Sequence, residues 1–275
     1  MIFSHFQAHP LVKIDTPSAM LLSTDLNRSY IKINKAKSGW QLPNGEILTF
    51  SQVQTINQDE NSCFTYHEGK LIKAALYSER TNRYYSLMPT EKAPTMLISG
   101  IPMHRIKGIT PVEDTDQKIK ALGKPYGTIL DTSTGLGYTA IQASKTASKI
   151  ITVEFDPVVM SICKMNPWSK ELFDNPKILQ LIGDSWDIAQ IFPDRTFHAI
   201  IHDPPTFNLA GHLYSQTIYE NFFRILKDSG RLFHYIGNPD SRSGATIGRG
   251  VVERLQNAGF RVSPRPQAFG VLAQK

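Results

Sequence analysis

The stretch Thr128-Ile-Leu-Asp-Thr-Ser-Thr-Gly-Leu-Gly-Tyr-Thr-Ala140 decides the fold. Its first residues, Thr128 to Leu130, are β-branched or aliphatic and predict a buried strand that ends at Asp131. Gly135 and Gly137 then predict a tight turn, in which a backbone without Cβ atoms can approach a ligand closely. A strand, a glycine turn and a following helix form the nucleotide-binding corner of an open α/β sheet. Ordinary βα turns can also carry such glycines, so the segments that follow are needed to distinguish a nucleotide-binding turn from an ordinary one.

An acid follows each of the next three predicted strands. The three strand endings are Glu154 after residues 150–153, Gly183-Asp184 after residues 178–182, and Asp203-Pro204-Pro205 after residues 197–202. Because parallel strands end at one edge of a sheet, we expect these acids to converge with Asp131 where ligands of such sheets bind. Glu154 lies 23 residues after Asp131, the spacing of an acid that accepts ribose hydroxyls. Asp184 is placed to accept from an adenine amine.

These segments resemble the class I S-adenosylmethionine-dependent methyltransferases over about residues 111–275. The motifs that carry the resemblance are Asp131-Thr-Ser-Thr-Gly-Leu-Gly137, Val153-Glu-Phe-Asp-Pro157, Gly183-Asp184 and Asp203-Pro-Pro205. They look closest to a little-characterised group of predicted methyltransferases with a spermidine-synthase-like fold. The resemblance implies an α/β protein. It also implies a Rossmann-like, mostly parallel seven-stranded sheet with its last strand antiparallel, preceded by a small antiparallel β domain.

The resemblance also implies S-adenosylmethionine as the cofactor. Cofactor contacts are expected from Asp131, Thr132, Ser133, Thr134, Gly135, Gly137, Tyr138, Glu154, Phe155, Gly183, Asp184 and Ser185. The catalytic loop is Asp203-Pro204-Pro205, where the carboxylate and the Pro204 carbonyl can accept hydrogen bonds from a substrate amine. In related amino-methyltransferases the next residue is Tyr or Phe, which stacks on a planar base, but here it is Thr206. This departure puts a flat nucleobase amine in doubt and leaves an aliphatic amine, a protein nitrogen or an oxygen acceptor open.

Five further residues are candidates for substrate contact: His104, Arg105, Phe207, Tyr235 and Asn238. In methyltransferases of this fold the segment before the first strand often closes over the methionine end of the cofactor. Arg105 is therefore a candidate for the methionine carboxylate and His104 for the substrate, with a surface basic pair as the other interpretation. His198 and His202 share a strand face, but no third ligand lies nearby in the sequence. We therefore expect no metal site.

The pattern divides the chain into a small antiparallel β domain, residues 1–100, and a cofactor-binding domain, residues 101–275. Short strands, beginning with Leu11–Ile14, and hairpin signals such as Asn44-Gly45 mark the first domain. This domain either presents substrate or serves as a lid or dimerisation module, so a homo-oligomer stays open. Its aromatic residues are typical of core or cross-strand pairs, with base stacking as the alternative. In the second domain, Leu213 to Leu226 predicts the longest helix.

Composition limits the partners. The net charge is +6 and the isoelectric point is about 9.2, values compatible with RNA but also with a mixed solvated surface. Cys63 and Cys163 have no paired spacing, which indicates free thiols in a reducing compartment. No apolar run approaches 18 residues, so we expect a soluble cytoplasmic protein with no membrane partner.

Together these features predict a methyltransferase that acts on nitrogen, with RNA or protein as substrate. One alternative is an aminopropyltransferase that acts on a small amine with decarboxylated S-adenosylmethionine, with Asp203 as the base for the amine. The other is a nucleoside-binding protein without activity.

Overall fold

The structure, a computed structural model, describes residues 1–13, 17–238 and 241–275, without the side chains of residues 242 and 243. The described residues form two compact units. One comprises Met1–Val112 with Val158–Lys170, and the other Glu113–Pro157 with Glu171–Lys275. The domain boundary predicted between residues 100 and 101 stays a prediction.

The first unit contains three small antiparallel sheets, with strand orders β1-β6-β7, β2-β3-β4-β5 and β11-β10-β9-β8. The strands are β1 (Ile2–Phe3), β2 (Ala19–Leu22), β3 (Ile31–Ala36), β4 (Gly39–Gln41), β5 (Ile47–Thr49), β6 (Phe64–His67), β7 (Lys70–Lys73), β8 (Ala75–Ser78), β9 (Arg83–Met88), β10 (Thr95–Ile98) and β11 (Ile101–Pro102). The helices are α1 (His5–Ala8), α2 (Phe50–Asn57) and α5 (Pro157–Met165), with 3-10 turns at His9–Leu11 and Pro167–Ser169. The predicted antiparallel β character is confirmed.

Local chemistry explains where several of these elements begin. Thr49 caps α2, since its side chain accepts from the backbone N–H of Gln52 and the Gln52 side chain accepts from the backbone of Thr49. The strand predicted at residues 11–14 is wrong at its described positions. Leu11 belongs to a 3-10 turn in which Pro10 occupies an early position, where its missing N–H costs no hydrogen bond. Residue 14 lies outside the described residues.

The second unit is built on a seven-stranded sheet of order β14-β13-β12-β15-β16-β18-β17. Its strands are β12 (Thr128–Asp131), β13 (Lys149–Glu154), β14 (Ile178–Ile182), β15 (Phe197–His202), β16 (Leu226–Tyr235), β17 (Arg261–Arg265) and β18 (Gly270–Gln274). The helices are α3 (Pro111–Leu122), α4 (Tyr138–Ser144), α6 (Lys170–Asp174), α7 (Ser185–Ile191), α8 (Phe207–Ala210), α9 (Gln216–Ile225) and α10 (Arg242–Asn257), with 3-10 turns at Gly211–Tyr214 and Pro266–Ala268.

The pairing in this sheet is parallel from β14 through β16. Among the seven strands, β18 runs in the opposite direction to the other six, antiparallel to both β16 and β17. The predicted seven-stranded, mostly parallel sheet with an antiparallel last strand is confirmed. The order reverses between β12 and β15, and in open α/β sheets ligands bind at such a switch point, outside the carboxyl ends of the strands.

The helix predicted over Leu213–Leu226 is wrong at its start and is not the longest. Ser215 is extended, and its side chain accepts from the backbone N–H of Ile218. This cap begins α9 at Gln216 and separates it from the preceding 3-10 turn. The longest described helix is α10, with 16 residues.

Apolar side chains between the sheet and the flanking helices form the core of the second unit. Its fully buried members include Leu130, Phe197, Tyr219, Phe222 and Leu255. In the part of the chain that the structure describes, every helix is too short or too polar to cross a membrane.

Candidate active site

Four acids lie at or just after the carboxyl ends of neighbouring parallel strands, as the sequence predicted for this edge. Asp131 ends β12 and pairs in register with Thr152 of β13 and Ile201 of β15. Glu154 ends β13, while Asp184 and Asp203 follow β14 and β15 within two residues. The strand order therefore brings the acids to one edge of the sheet, on both sides of the switch point.

The glycine turn is held open by backbone geometry. Gly135 and Gly137 have φ angles of 50° and 78°, a left-handed conformation that glycine adopts without strain. A Cβ at Gly135 would meet no other atom within 4 Å, whereas one at Gly137 would lie 2.9 Å from the Leu172 side chain. The first glycine therefore faces open space, and the second is required by close packing.

Asp131 is fully buried beneath this turn. Its Oδ2 accepts from the hydroxyls of Thr139 at 3.1 Å and Thr152 at 3.0 Å. Because a hydroxyl carries one proton, Thr134, whose hydroxyl lies 2.7 Å from that of Thr152, must donate to it. Asp131 Oδ1 makes no hydrogen bond with any described residue. Burial raises the pKa of Asp131 to about 7, although the two threonine hydroxyls act in the opposite direction.

Glu154 faces the same turn from the next strand. Its Oε2 accepts from the backbone N–H of Gly135 at 3.0 Å, and its Oε1 from that of Asp156 at 3.1 Å. Desolvation raises the pKa of Glu154 to about 7, against the effect of these N–H groups. The backbone N–H of Phe155 also lowers the pKa of this carboxyl. Since two carboxylate oxygens offer about four acceptor positions, the group can still accept a ligand hydroxyl. Beside it, Phe155 exposes 44% of its surface at the strand tip.

Asp184 has a structural task as well. Its Oδ1 caps α7 by accepting from the backbone N–H of Trp186 at 2.8 Å, and its Oδ2 lies 2.9 Å from Nε2 of His212. Ser185, the first residue of α7, donates its hydroxyl to the carbonyl of Thr132. The predicted adenine contact of Asp184 stays a prediction.

The Asp203-Pro204-Pro205 loop is fixed by a residue that sequence reasoning missed. Lys118 of α3 is 2% exposed, and its Nζ lies 2.6 Å from Oδ2 of Asp203 and 3.0 Å from Oδ2 of the buried Asp114. The same Nζ lies 4.6 Å from the ring centroid of Tyr235, within the range of a cation–π contact. Burial alone would lower the pKa of Lys118, but the two carboxylates raise it above its ordinary value, so the lysine stays charged.

The far end of the loop is held by an aromatic residue. The Tyr214 hydroxyl donates to the carbonyl of Pro205 at 3.0 Å, and the ring packs edge-on against Phe207 at 5.4 Å. Phe207 begins α8 and remains 44% exposed. The carbonyl of Pro205 is thereby engaged within the protein.

Two buried histidines lie beneath the loop, with ring centroids 4.4 Å apart. Nε2 of His202 donates to the carbonyl of Leu213 at 2.8 Å, which leaves Nδ1 to accept from the Thr132 hydroxyl at 2.7 Å. Burial lowers the pKa of His202 to about 4 and that of His234 well below its ordinary value. His202 therefore packs as a neutral ring with both nitrogens occupied. The described residues hold no group of three potential metal ligands.

The remaining predicted residues are more widely distributed. His104 and Arg105 belong to the first unit, where Nδ1 of His104 lies 3.0 Å from the hydroxyl of Thr95; their predicted roles stay predictions. Asn238 follows β16, and its carbonyl accepts from the hydroxyl of Ser241 at 2.8 Å. The predicted contacts of Ser133, Tyr138 and Gly183 with a cofactor also stay predictions.

The fold is similar to that of spermidine synthases. Two spermidine synthase structures are similar to it: one in complex with the transition-state analogue AdoDATO, with a TM-score of 0.59 and 17% identity, and one from Thermotoga maritima, with 0.57 and 16%. The first covers 77% of this chain and 79% of its own, and the second 77% of each. Similarities at this identity establish the fold alone.

A sequence relative defines the family. The chain is 42% identical over 263 residues to "Uncharacterized protein MJ1233" of Methanocaldococcus jannaschii, which covers 93% of this chain and 89% of the relative. The chain therefore belongs to the family of this archaeal protein. No family model matches the chain.

Proposed function

We propose that this protein is an S-adenosylmethionine-dependent methyltransferase that acts on a nitrogen held by the Asp203-Pro204-Pro205 loop, on RNA or protein. The observation that carries the proposal is the convergence of a glycine turn and the carboxylates of Asp131, Glu154 and Asp203 at the switch point of the sheet.

The residues at this edge fit the cofactor. Buried Asp131 Oδ1 makes no hydrogen bond with any described residue, and a buried acceptor is costly until a donor reaches it. Gly135 leaves open space where a side chain would stand. Glu154 retains an acceptor position for a ribose hydroxyl. Together these groups would hold the nucleoside and the adjoining amino-acid tail.

S-adenosylmethionine, when bound, supplies a methyl group on a positively charged sulfur, which becomes a neutral thioether as the nitrogen lone pair forms the new N–C bond. Asp203 and the carbonyl of Pro204 would accept N–H donors of the acceptor and so direct its lone pair away from the loop. The proton that the product nitrogen must lose would pass to Asp203 or to water. Fixed geometry is the main contribution of the protein to such an in-line transfer.

The charge at the loop favours nitrogen over an anionic acceptor. Asp114 and Asp203 carry two negative charges against the single positive charge of Lys118, so the cluster keeps one net negative charge. That charge disfavours an anionic acceptor atom at the loop and stabilises a nitrogen, which becomes positively charged as the new N–C bond forms.

The similarity to spermidine synthases supports a second candidate, aminopropyl transfer to a small amine from decarboxylated S-adenosylmethionine. The two cofactors differ by a carboxylate, so their dissociation constants discriminate the functions. A methyltransferase should bind the intact cofactor more tightly by at least about tenfold, which corresponds to one charge-assisted hydrogen bond.

The decisive experiment incubates the protein and S-adenosylmethionine, tritiated on its methyl group, with a cell extract. The label is then measured separately in RNA, protein and small molecules. We expect label in the RNA or protein fraction with the wild type and none with Asp203→Asn. Label confined to small amines would indicate methylation of a small amine instead. The second candidate breaks the bond from sulfur to the aminopropyl chain and leaves the methyl group on sulfur, so it predicts no methyl label in any amine and is tested with decarboxylated S-adenosylmethionine labelled in the aminopropyl chain. An absence of both labels together with unchanged cofactor affinity in Asp203→Asn would indicate a binding protein without activity.

A further inference from the structure

Lys118 is buried more completely than an ordinary salt-bridge lysine. Its side chain is 2% exposed and that of Asp114 is 0% exposed, while Asp203 is 17% exposed. Burial of a charged group is costly, and it persists only where the charge is paired and its donors are used. Lys118 directs its ammonium group at two carboxylates and the face of the Tyr235 ring. Its charge is thus fully committed within the protein.

The four residues of this cluster come from three elements of the fold. Asp114 and Lys118 stand one turn apart on α3, Asp203 follows β15, and Tyr235 ends β16. Asp114 fixes the lysine from its own helix, and the lysine reaches across to the loop. Asp203 has one oxygen at 2.6 Å from Nζ, so its carboxylate plane is oriented by a rigid helix rather than by the loop alone.

We propose that Lys118 is a positioning residue that keeps Asp203 ionised and fixes its carboxylate for the acceptor nitrogen. The inference rests on the proposed function, since it assigns Asp203 to the acceptor. It adds a group on α3 that contacts neither ligand but determines the protonation state and orientation of one that does.

Removal of the lysine charge should place Asp203 beside the buried Asp114 without a cation. Two neighbouring carboxylates cannot both stay ionised at little cost, so one should take up a proton near neutral pH. Other titratable groups that act electrostatically with Asp203 include Asp131 of β12 and Tyr214 of the 3-10 turn after α8. Asp131 is an acid as well, and it would reinforce the uptake of the proton.

The first measurement needs no acceptor. Protein labelled with carbon-13 at the aspartate carboxyls is titrated by NMR, and the Asp203 signal is assigned by its loss in Asp203→Asn. We expect the wild-type signal to stay ionised throughout the pH range in which the protein is folded. In Lys118→Met the Asp114–Asp203 pair should take up a proton about two pH units above the wild-type pair; the Asp114 signal is assigned by its loss in Asp114→Asn, and both signals are followed. Equal titration curves would overturn the proposal whatever reaction the protein catalyses.

The second measurement is the pH profile of methyl transfer to the acceptor found above. In Lys118→Met the acid limb should move up by about two units, so that kcat falls by up to about 100-fold at pH values below both limbs and recovers as pH rises. The double variant Asp114→Asn with Lys118→Met removes the competing anion, and its acid limb should return toward that of the wild type. Lys118→Arg should rescue part of kcat, because it keeps the charge.

A purely structural lysine would behave differently. It would lower kcat equally at every pH, and the double variant would not restore the profile; either outcome would overturn the proposal. Urea denaturation of each variant establishes that it is folded, and if Lys118→Met alone is not, the comparison is made between Lys118→Arg and the double variant. If the NMR shift occurs but no variant methylates any acceptor, the proposed function fails and the ion-pair role of Lys118 stands.

Discussion

The two sides of the switch point treat their carboxylates differently. At the ends of β12 and β13, Asp131 and Glu154 are surrounded by hydroxyls and backbone N–H groups, and desolvation raises the pKa of each to about 7. After β15, Asp203 is paired with a buried ammonium at 2.6 Å. Acids without a cation gain most from a ligand that donates hydrogen bonds or carries positive charge. The acid with a cation is ready to accept before any ligand arrives.

The largest expected effect lies on the Asp203 side. Asp203→Asn keeps the shape but loses the charge, and we expect kcat to fall by about 10³-fold while the dissociation constant of S-adenosylmethionine changes less than about twofold. Single-turnover methyl transfer and calorimetry measure the two quantities. Asp228→Asn, at a side chain that is 71% exposed, is the matched control. Equal losses of binding and turnover would remove the contrast between the two sides.

The next effect lies on the Glu154 side. Glu154→Ala removes the charged acceptor proposed for the ribose and should weaken S-adenosylmethionine binding about 100-fold. Calorimetry at constant pH measures it, with the exposed Glu220→Gln as control. An affinity that does not change would contradict the ribose assignment.

The pH dependence of S-adenosylmethionine binding further tests the role of Glu154. Hydroxyl donors require the ionised form of Glu154, whose pKa in the ligand-free protein is raised to about 7 by desolvation. Binding should therefore release a proton, and affinity should rise about tenfold between about pH 6 and pH 8. Calorimetry in buffers of different ionisation enthalpy counts the proton. In Glu154→Gln the rise should disappear; a slope that persists would assign it to another group.

The last expected effect is on stability rather than on binding or turnover. The folded pKa of Asp131 is about 7, above its ordinary value of 3.8, so the folded state holds the proton more tightly than the unfolded state. Its contribution is complete below about pH 4 and is lost as pH rises through about 7, by up to about 4 kcal/mol. Urea unfolding across this range should show a shallower decline in Asp131→Asn. Identical slopes would show that Asp131 does not titrate in this range.

Short-range sequence patterns predicted much of the site at the carboxyl ends of the parallel strands. The buried strands, the two glycines and the acids after each strand are short-range signals, and the parallel sheet converts them into one site. The seven-stranded, mostly parallel sheet with its antiparallel last strand followed from the resemblance and is confirmed. The positions of Asp131 and Glu154 thus required only the order of elements.

Lys118 could not be found in the same way. A Lys four residues after an Asp on an amphipathic helix is typical of a solvated surface pair. Its burial depends on contact with the loop after β15, 85 residues away along the chain. No periodic pattern in the sequence predicts a contact between two such distant segments. The available signal was weak: an acid and a lysine one turn apart on the helix that precedes the glycine turn. The error at Leu213–Leu226 has a different cause. The Ser215 cap is a local signal, but the apolar residues on both sides of it were taken as one helix.

The buried imidazole beneath the catalytic loop has one more consequence. With a pKa lowered to about 4, His202 keeps its neutral form while the acids at the rim gain or lose protons. Its bonds to Thr132 and Leu213 are consequently the same in mildly acidic and mildly alkaline solution. Mild acidification can therefore change the charges of Asp131 and Glu154 while His202, beneath the loop, keeps its charge state and its hydrogen bonds.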